Sequence, residues 1–155
     1  MQVKLANALS QRSELQTRIR QLEVRLNNNA QVQEGEQPAE DPVELLKELE
    51  ADYARLEELI SAINRTNNST RLEDGATLSD LLARRDCTRG RLSALRGFLS
   101  NASALVRRHS ASEIKVKSTV NVRQLQKQVD SLSKELRELD ETIQEKNWTT
   151  DLLEE

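Results

Sequence analysis

Leucine and isoleucine residues that alternate in steps of three and four are the feature that most constrains this chain. The pattern runs from Leu5 to Leu26 in the first segment and from Leu125 to Ile143 in the last. An α-helix places residues with this spacing on one narrow face, and that face is normally buried against another helix. The pattern therefore predicts helices of coiled-coil character.

Composition points the same way. Of the 155 residues, 32% are charged and only 2% are aromatic, and there are four Gly and two Pro. Long, solvated helices with narrow apolar faces have this composition, whereas a turn-rich β-sandwich needs more turn residues. A chain of this length has room for one hydrophobic core, so we expect a single helical domain over residues 1–155.

Two further helices are predicted between these segments. Asp41 as N-cap, Pro42 at the first position and Glu44 at the third predict the start of the second helix. The third helix is expected from Leu78 to about Arg107. The apolar face assigned to the second helix consists of Leu46, Leu49, Tyr53, Leu56, Ile60 and Ile63.

The fold class is therefore predicted to be all-α, with four long antiparallel helices and one short β element. Residues 27–41 contain Gly35 and Pro38 and few apolar side chains, which is typical of a mobile linker. Near residues 113–120, Ile114 and Val116 alternate with lysines, which favours a strand. Its partner would be the region of residues 70–73 or another chain.

The third helix has a second stripe, made of small residues spaced by seven: Ala83, Gly90, Gly97 and Ala104. It lies nearly opposite the apolar face of that helix, because residues 83 and 85 are ~200° apart around a helix. Each interior glycine costs ~1 kcal/mol relative to alanine, and close approach of another backbone would offset this cost. The stripe predicts cover on both sides of the helix, either within one chain or in a homo-oligomer.

A set of polar residues brackets the junction between the second and third helices. We single out Asn64, Asn67, Asp80, Arg84, Arg85 and Asp86. Arg85 falls within an apolar face, where an unpaired charge is costly. We favour a buried polar network that fixes helix register. The alternative is a pocket for a small anion or ligand.

Charge is distributed unevenly although the net charge is only −3. Residues 34–58 are mostly acidic, and the third helix is basic through Arg84, Arg85, Arg89, Arg91, Arg96, Arg107 and Arg108. We favour complementary charges on neighbouring second and third helices. A nucleic-acid face on the third helix is the alternative, although no aromatic side chains are interleaved for base stacking.

No catalytic constellation is visible in the sequence. Cys87 and His109 would lie ~33 Å apart along one helix, too far to act as a nucleophile and its base. No residue spacing typical of a metal site is present. We therefore predict no enzyme activity, no cofactor and no metal, and we expect Cys87 to be buried as a small apolar side chain. The single cysteine and the absence of ~18 consecutive apolar residues predict a cytoplasmic protein without a membrane partner.

The C-terminal part of the sequence resembles a known family. The sequence EIKVKSTVNVRQLQKQVDSLSKELRELDETIQEKNWTTDLL, with NRTN and DGATLSDLLARRD upstream, is similar to the DIP1984-like family of small bacterial proteins. The resemblance covers nearly the whole chain and implies a helical protein without a stated activity. Some family members are called septicolysin, a haemolysin-like name. The chain has no Gly- and Ser-rich amphipathic hairpin that would suit a pore.

These observations favour a structural or protein-interaction module. We predict a homo-oligomer that presents a surface to a protein partner of unknown identity. Nucleic-acid binding by the third helix and ligand binding at the polar corner are kept as alternatives.

Overall fold

A computed structural model describes residues 2–104 and 114–155 of the chain. This part contains four α-helices: α1 (Leu5–Asn28), α2 (Pro42–Ser69), α3 (Leu78–Ser103) and α4 (Val122–Thr149). The all-α prediction is confirmed.

Helix α2 begins where its capping residues predict. The side chain of Asp41 accepts a hydrogen bond from the backbone N–H of Val43, and Pro42 is the first helical residue. The helix continues through the polar residues 64–68 and ends at Ser69. One reason is Thr66, which is fully buried and donates its hydroxyl hydrogen to the carbonyl of Ala62 at 2.8 Å.

The chain divides into two compact units. Unit 1 contains the residues up to Leu78 together with Glu145–Glu155, and unit 2 contains Ser79–Gln144. Organisation as a single domain stays a prediction.

Unit 1 is built on the antiparallel pair of α1 and α2. Arg18 forms an ion pair with Asp52, and Arg25, further along α1, forms one with Glu40, which lies earlier in the chain than Asp52. The two helices therefore run in opposite directions. The buried apolar residues between them are Leu5, Ala8, Ile19, Leu22, Leu45, Leu56, Leu59, Ala62 and Ile63.

The apolar face predicted for α2 is partly wrong. Leu45 and Leu59 are 3% and 2% exposed, whereas Leu46 and Tyr53 are 49% and 47% exposed. The packed face steps through residues 45, 49, 52, 56, 59, 63 and 66, all buried except the half-buried Leu49, so it shares only Leu49, Leu56 and Ile63 with the prediction. The predicted alternation contains Tyr53 at the level where the buried one contains Asp52.

The connection between α1 and α2 is held at both ends by Asn29. Its side-chain N–H donates to the carbonyl of Arg25 at 2.8 Å, and its Oδ1 accepts from the backbone N–H of Glu40 at 3.0 Å. The Arg25 guanidinium also donates to the Glu40 carboxylate, and this hydrogen bond holds the pKa of Glu40 below its usual value. Gly35 adopts a φ of +87° within the connection, which favours glycine.

Within unit 1, the C-terminal residues 150–153 pack against the start of α1 and the end of α2, and we call them the C-terminal latch. The backbone N–H of Leu152 donates to the carbonyl of Val3 at 2.8 Å, and the N–H of Leu5 donates to the carbonyl of Thr150 at 2.9 Å. Leu152 is buried. Trp148, the large aromatic side chain just before the latch, is 66% exposed. Backbone hydrogen bonds, rather than the indole ring, hold the latch.

Unit 2 is built on α3 and α4. Arg89 Nη2 lies 3.8 Å from Asp140 Oδ1, and Arg96 Nη2 donates to Ser133 Oγ at 3.0 Å, so the two helices run antiparallel. Leu92 packs with α4 in a buried cluster whose members are Leu92, Val129 and Leu132, with Leu95, Leu99 and Leu136 partly buried around them. The apolar spacing predicted from Leu125 to Ile143 is confirmed, because Leu125, Val129, Leu132, Leu139 and Ile143 of α4 are buried.

The β element predicted near residues 113–120 is corrected. Residues 114–120 form no strand, and residue 113 lies outside the described residues. A strand needs a partner, and the proposed local partner is already paired. Arg71 forms an isolated β-bridge with Thr77, and the N–H of Leu72 donates to the carbonyl of Ala76 at 2.8 Å.

Candidate functional site

The small-residue stripe of α3 is open to solvent. Ala83, Gly90, Gly97 and Ala104 are all exposed. A Cβ atom added at Gly90 or Gly97 would meet nothing within 4 Å. Positions 90 and 92 are ~200° apart around the helix, so the stripe faces away from the buried Leu92. The described part of the chain therefore does not cover the stripe, and cover by another copy stays a prediction.

The residues of the predicted polar corner lie in both units. Asn64 and Asn67 belong to α2 in unit 1, and the other four belong to α3 in unit 2. Asn64 and Asp80 are exposed, and Asn67 is half-buried. That the six residues form one pocket or network stays a prediction.

Within unit 2, the charge of Arg85 is balanced locally. Its Nη2 lies 3.1 Å from Oδ1 of the next residue, Asp86, and its side chain is 25% exposed. Arg84 reaches across to α4, where its Nη2 lies 3.5 Å from Glu135 Oε1. Neither arginine therefore needs a bound anion for charge balance.

Most of the described α3 arginines have partners on α4. Arg84 and Arg89 pair with Glu135 and Asp140, and Arg96 donates to Ser133. Sequence reasoning missed these acids of α4 as the neutralising charges. Their positions beside the α4 apolar face were the available signal, because residues that flank a helical interface commonly pair across it. This pairing weakens the case for a nucleic-acid face, and Arg107 and Arg108 lie outside the described residues.

Arg91 differs from these arginines. Among the residues that the structure describes, it has no ion pair or hydrogen bond through its side chain. It lines a groove of about 590 Å³ between α3 and α4, beside Ala94, Leu95 and Glu135. Phe98, one heptad further along α3, is 46% exposed. The face of α3 that carries Arg91 thus presents a cation without a side-chain partner among the described residues and an exposed aromatic ring.

Asp52 is a buried charge that sequence reasoning missed. It is 7% exposed, and its Oδ2 lies 3.0 Å from Arg18 Nε. This oxygen accepts no hydrogen bond of good geometry, so the contact is an ion pair and not a directed hydrogen bond. The alternation through residues 45, 52 and 59 would have revealed it.

We expect the substitution Asp52→Leu to raise the free energy of unfolding by about 1 kcal/mol or more. Leucine fills a buried site that now holds a charge, and Arg18 can extend into solvent because its side chain is already 58% exposed. Urea unfolding measures the change, with Glu48→Leu on an exposed face of α2 as control. A loss of stability with the Leu variant would show that the ion pair stabilises unit 1.

No catalytic or metal centre emerges from the described ranges 2–104 and 114–155. No group of three or more His, Cys, Asp or Glu side chains in these ranges could hold a metal ion. Cys87 was expected to be buried but is exposed, because it points away from the α3 apolar face. His109 lies outside the described residues. No helix in the described part of the chain is long and apolar enough to cross a membrane.

Comparison with known proteins identifies relatives of unknown function. A family model described as a family of unknown function, DUF6847, matches residues 12–152. The chain is also similar to a crystal structure described as a functionally unknown conserved protein from Corynebacterium diphtheriae. The two share 40% sequence identity with a TM-score of 0.91, and the match covers 99% of this chain and 100% of the other. No curated protein matches the chain. Neither match names a catalytic or haemolytic activity.

Proposed function

We propose that this chain, which belongs to the DUF6847 family of unknown function, acts as a self-associating helical interaction module. In this proposal the protein works in the cytoplasm and catalyses no reaction. Two or more copies pack through α3, and the assembly presents its remaining surface to another protein.

The open small-residue stripe is the observation that supports this proposal. Gly90 and Gly97 lie inside a helix, where each costs ~1 kcal/mol relative to alanine. Within the described chain no contact offsets this cost, since a Cβ atom at either glycine would meet nothing within 4 Å. Small residues at a helix interface allow two backbones to approach closely, and such an approach would repay the cost.

Alanine at the two glycines separates helix stability from self-association. In the monomer, we expect Gly90→Ala and Gly97→Ala each to raise the free energy of unfolding by ~1 kcal/mol, because the space for a Cβ is open. In the assembly, the added methyl groups keep the backbones apart. We therefore expect the double variant to dissociate at concentrations about tenfold higher than the wild type.

Sedimentation velocity over a concentration series, combined with urea unfolding at low concentration, measures both effects. Ser100→Ala is the control, because Ser100 is exposed on α3 outside the stripe. A wild-type chain that stays monomeric at all concentrations would overturn the proposal. Unchanged association of the double variant would exclude the stripe as the contact surface.

A further inference from the structure

Arg91, Ala94 and Phe98 form a stripe on one face of α3, next to the small-residue stripe, and Arg91 and Ala94 also line the groove. Arg91 and Phe98 are one heptad apart and share a helix face. Ala94 lies between them and is exposed. A short side chain flanked by two long ones gives this surface a shallow centre with a raised residue on each side.

The two raised residues have complementary chemistry. A guanidinium is attracted to the face of an aromatic ring. Arg91 has no side-chain partner among the described residues, whereas Arg84, Arg89 and Arg96 all have partners on α4. Phe98 leaves 46% of its surface in solvent. Both residues are therefore available to a partner molecule.

This pattern suits a second copy of the same chain. In a two-fold symmetric contact, each residue pair occurs twice, with the roles of the copies exchanged. A two-fold axis at the level of Ala94 and Leu95 lays α3 antiparallel on itself. It brings Arg91 of each copy to the level of Phe98 of the other and places Ala94 near the centre of the contact, with Gly90 and Gly97 along its edge.

The available area is also sufficient. Helix α3 has 26 residues, and at ~1.5 Å per residue it is ~39 Å long. Two adjacent helices about 10 Å apart offer a face on the order of 800 Å². This is about the area that each partner contributes to a standard protein interface.

We infer that two copies of this chain pair through antiparallel α3 helices, with Arg91 of each copy against Phe98 of the other. The inference rests on the proposed self-association and adds its orientation and register. The same groove could instead receive a helix of a different protein, which the experiments below distinguish.

Exchanging the two residues tests the reciprocal contact. Phe98→Arg places two guanidinium groups opposite each other at both contacts, and we expect the dissociation constant of the dimer to rise about a hundredfold. Adding Arg91→Phe to the same chain restores an arginine opposite a phenylalanine. The double variant should then dimerise within about threefold of the wild type. Arg96→Ala, which changes an α3 arginine that already pairs with Ser133, should have no effect on dimerisation.

Multi-angle light scattering at several concentrations gives the masses, and thermal unfolding by circular dichroism checks that each variant is folded. A folded Phe98→Arg variant with unchanged mass, or a double variant that stays dissociated, would overturn the inference and leave self-association through another surface. A monomeric wild type would overturn self-association itself. A monomer that binds another protein only with Phe98 intact would assign the groove to that protein.

Disulfide formation tests the orientation. Antiparallel pairing at this register brings the exposed Cys87 of one copy within one residue, or ~1.5 Å, of the level of Asn101 of the other. The two copies of Cys87 would be ~22 Å apart along the helix, well beyond the ~7 Å limit between Cα atoms of a disulfide. We therefore expect Asn101→Cys to form a covalent dimer on mild oxidation and the wild type to form none.

Ser100→Cys is the matched control, because it lies at nearly the same level but ~100° around the helix. Asn101→Cys combined with Cys87→Ser should also fail to crosslink, since Asn101 residues of the two copies are far apart. Crosslinking of this last variant, or of the wild type, would indicate parallel helices and overturn the antiparallel inference.

Discussion

Leu59→Ala is expected to lower the free energy of unfolding by about 2–5 kcal/mol, whereas Leu46→Ala should lower it by less than about 1 kcal/mol. The two leucines lie on the same helix, α2, but Leu59 is 2% exposed and Leu46 is 49% exposed. Truncating Leu59 leaves a cavity between α1 and α2, and truncating Leu46 removes atoms that water already contacts.

Urea unfolding of the two variants and the wild type measures this difference at equal protein concentration. Equal losses of stability would show that Leu46 is buried in solution and that the apolar face assigned from the sequence is the packed one. A large effect of Leu46→Ala that appears only at high protein concentration would instead place α2 in an interface.

Thr66→Val is expected to lower the free energy of unfolding by about 1–3 kcal/mol, although the two side chains have nearly the same shape. Thr66 is fully buried, and its Oγ1 accepts a hydrogen bond from the backbone N–H of Leu153 at 2.9 Å. Valine leaves that donor without an acceptor beside a buried site. The substitution should also loosen the C-terminal latch.

Amide hydrogen exchange of residues 150–153 follows the latch, and urea unfolding follows stability. Thr142→Val is a matched control, because the Thr142 hydroxyl also donates to the carbonyl four residues earlier but accepts nothing from the latch. Unchanged exchange at Leu153 in Thr66→Val would show that the hydrogen bond does not hold the latch.

The sequence predicts the helices well because their caps and apolar spacing are local signals. The start of α2 at Asp41 and Pro42 and the apolar face of α4 follow from such signals. The apolar face of α2 was wrong because two alternations overlap on this helix. Hydropathy favours the alternation that contains Tyr53. The ion pair between Arg18 and Asp52, which the sequence does not show, explains why the alternation that contains Asp52 is buried instead.

The candidate site was harder to predict because it depends on partners distant in sequence. The small residues of α3 were recognisable, but the pairing of its arginines with α4 was not, since residues 84 and 135 are separated by a long stretch of chain. The sequence also does not show that Arg91, unlike its neighbours, lacks a side-chain partner among the described residues, and the pairing proposed for Arg91 and Phe98 depends on this. Trp148 shows the opposite case, because a large apolar side chain near a docking segment need not be what docks.

The C-terminal latch also sets the order in which unit 1 can be completed during synthesis. The ribosome adds residues from the N-terminus, and Lys4 and Asp151, which pair at 2.6 Å, are 147 residues apart. Helices α1 and α2 therefore emerge while their last contacts have yet to be made. Until Leu152 arrives, the buried Leu5 and Thr66 lack part of their cover. The surface of unit 1 that the latch covers therefore stays exposed on the nascent chain until all of unit 2 has been synthesised.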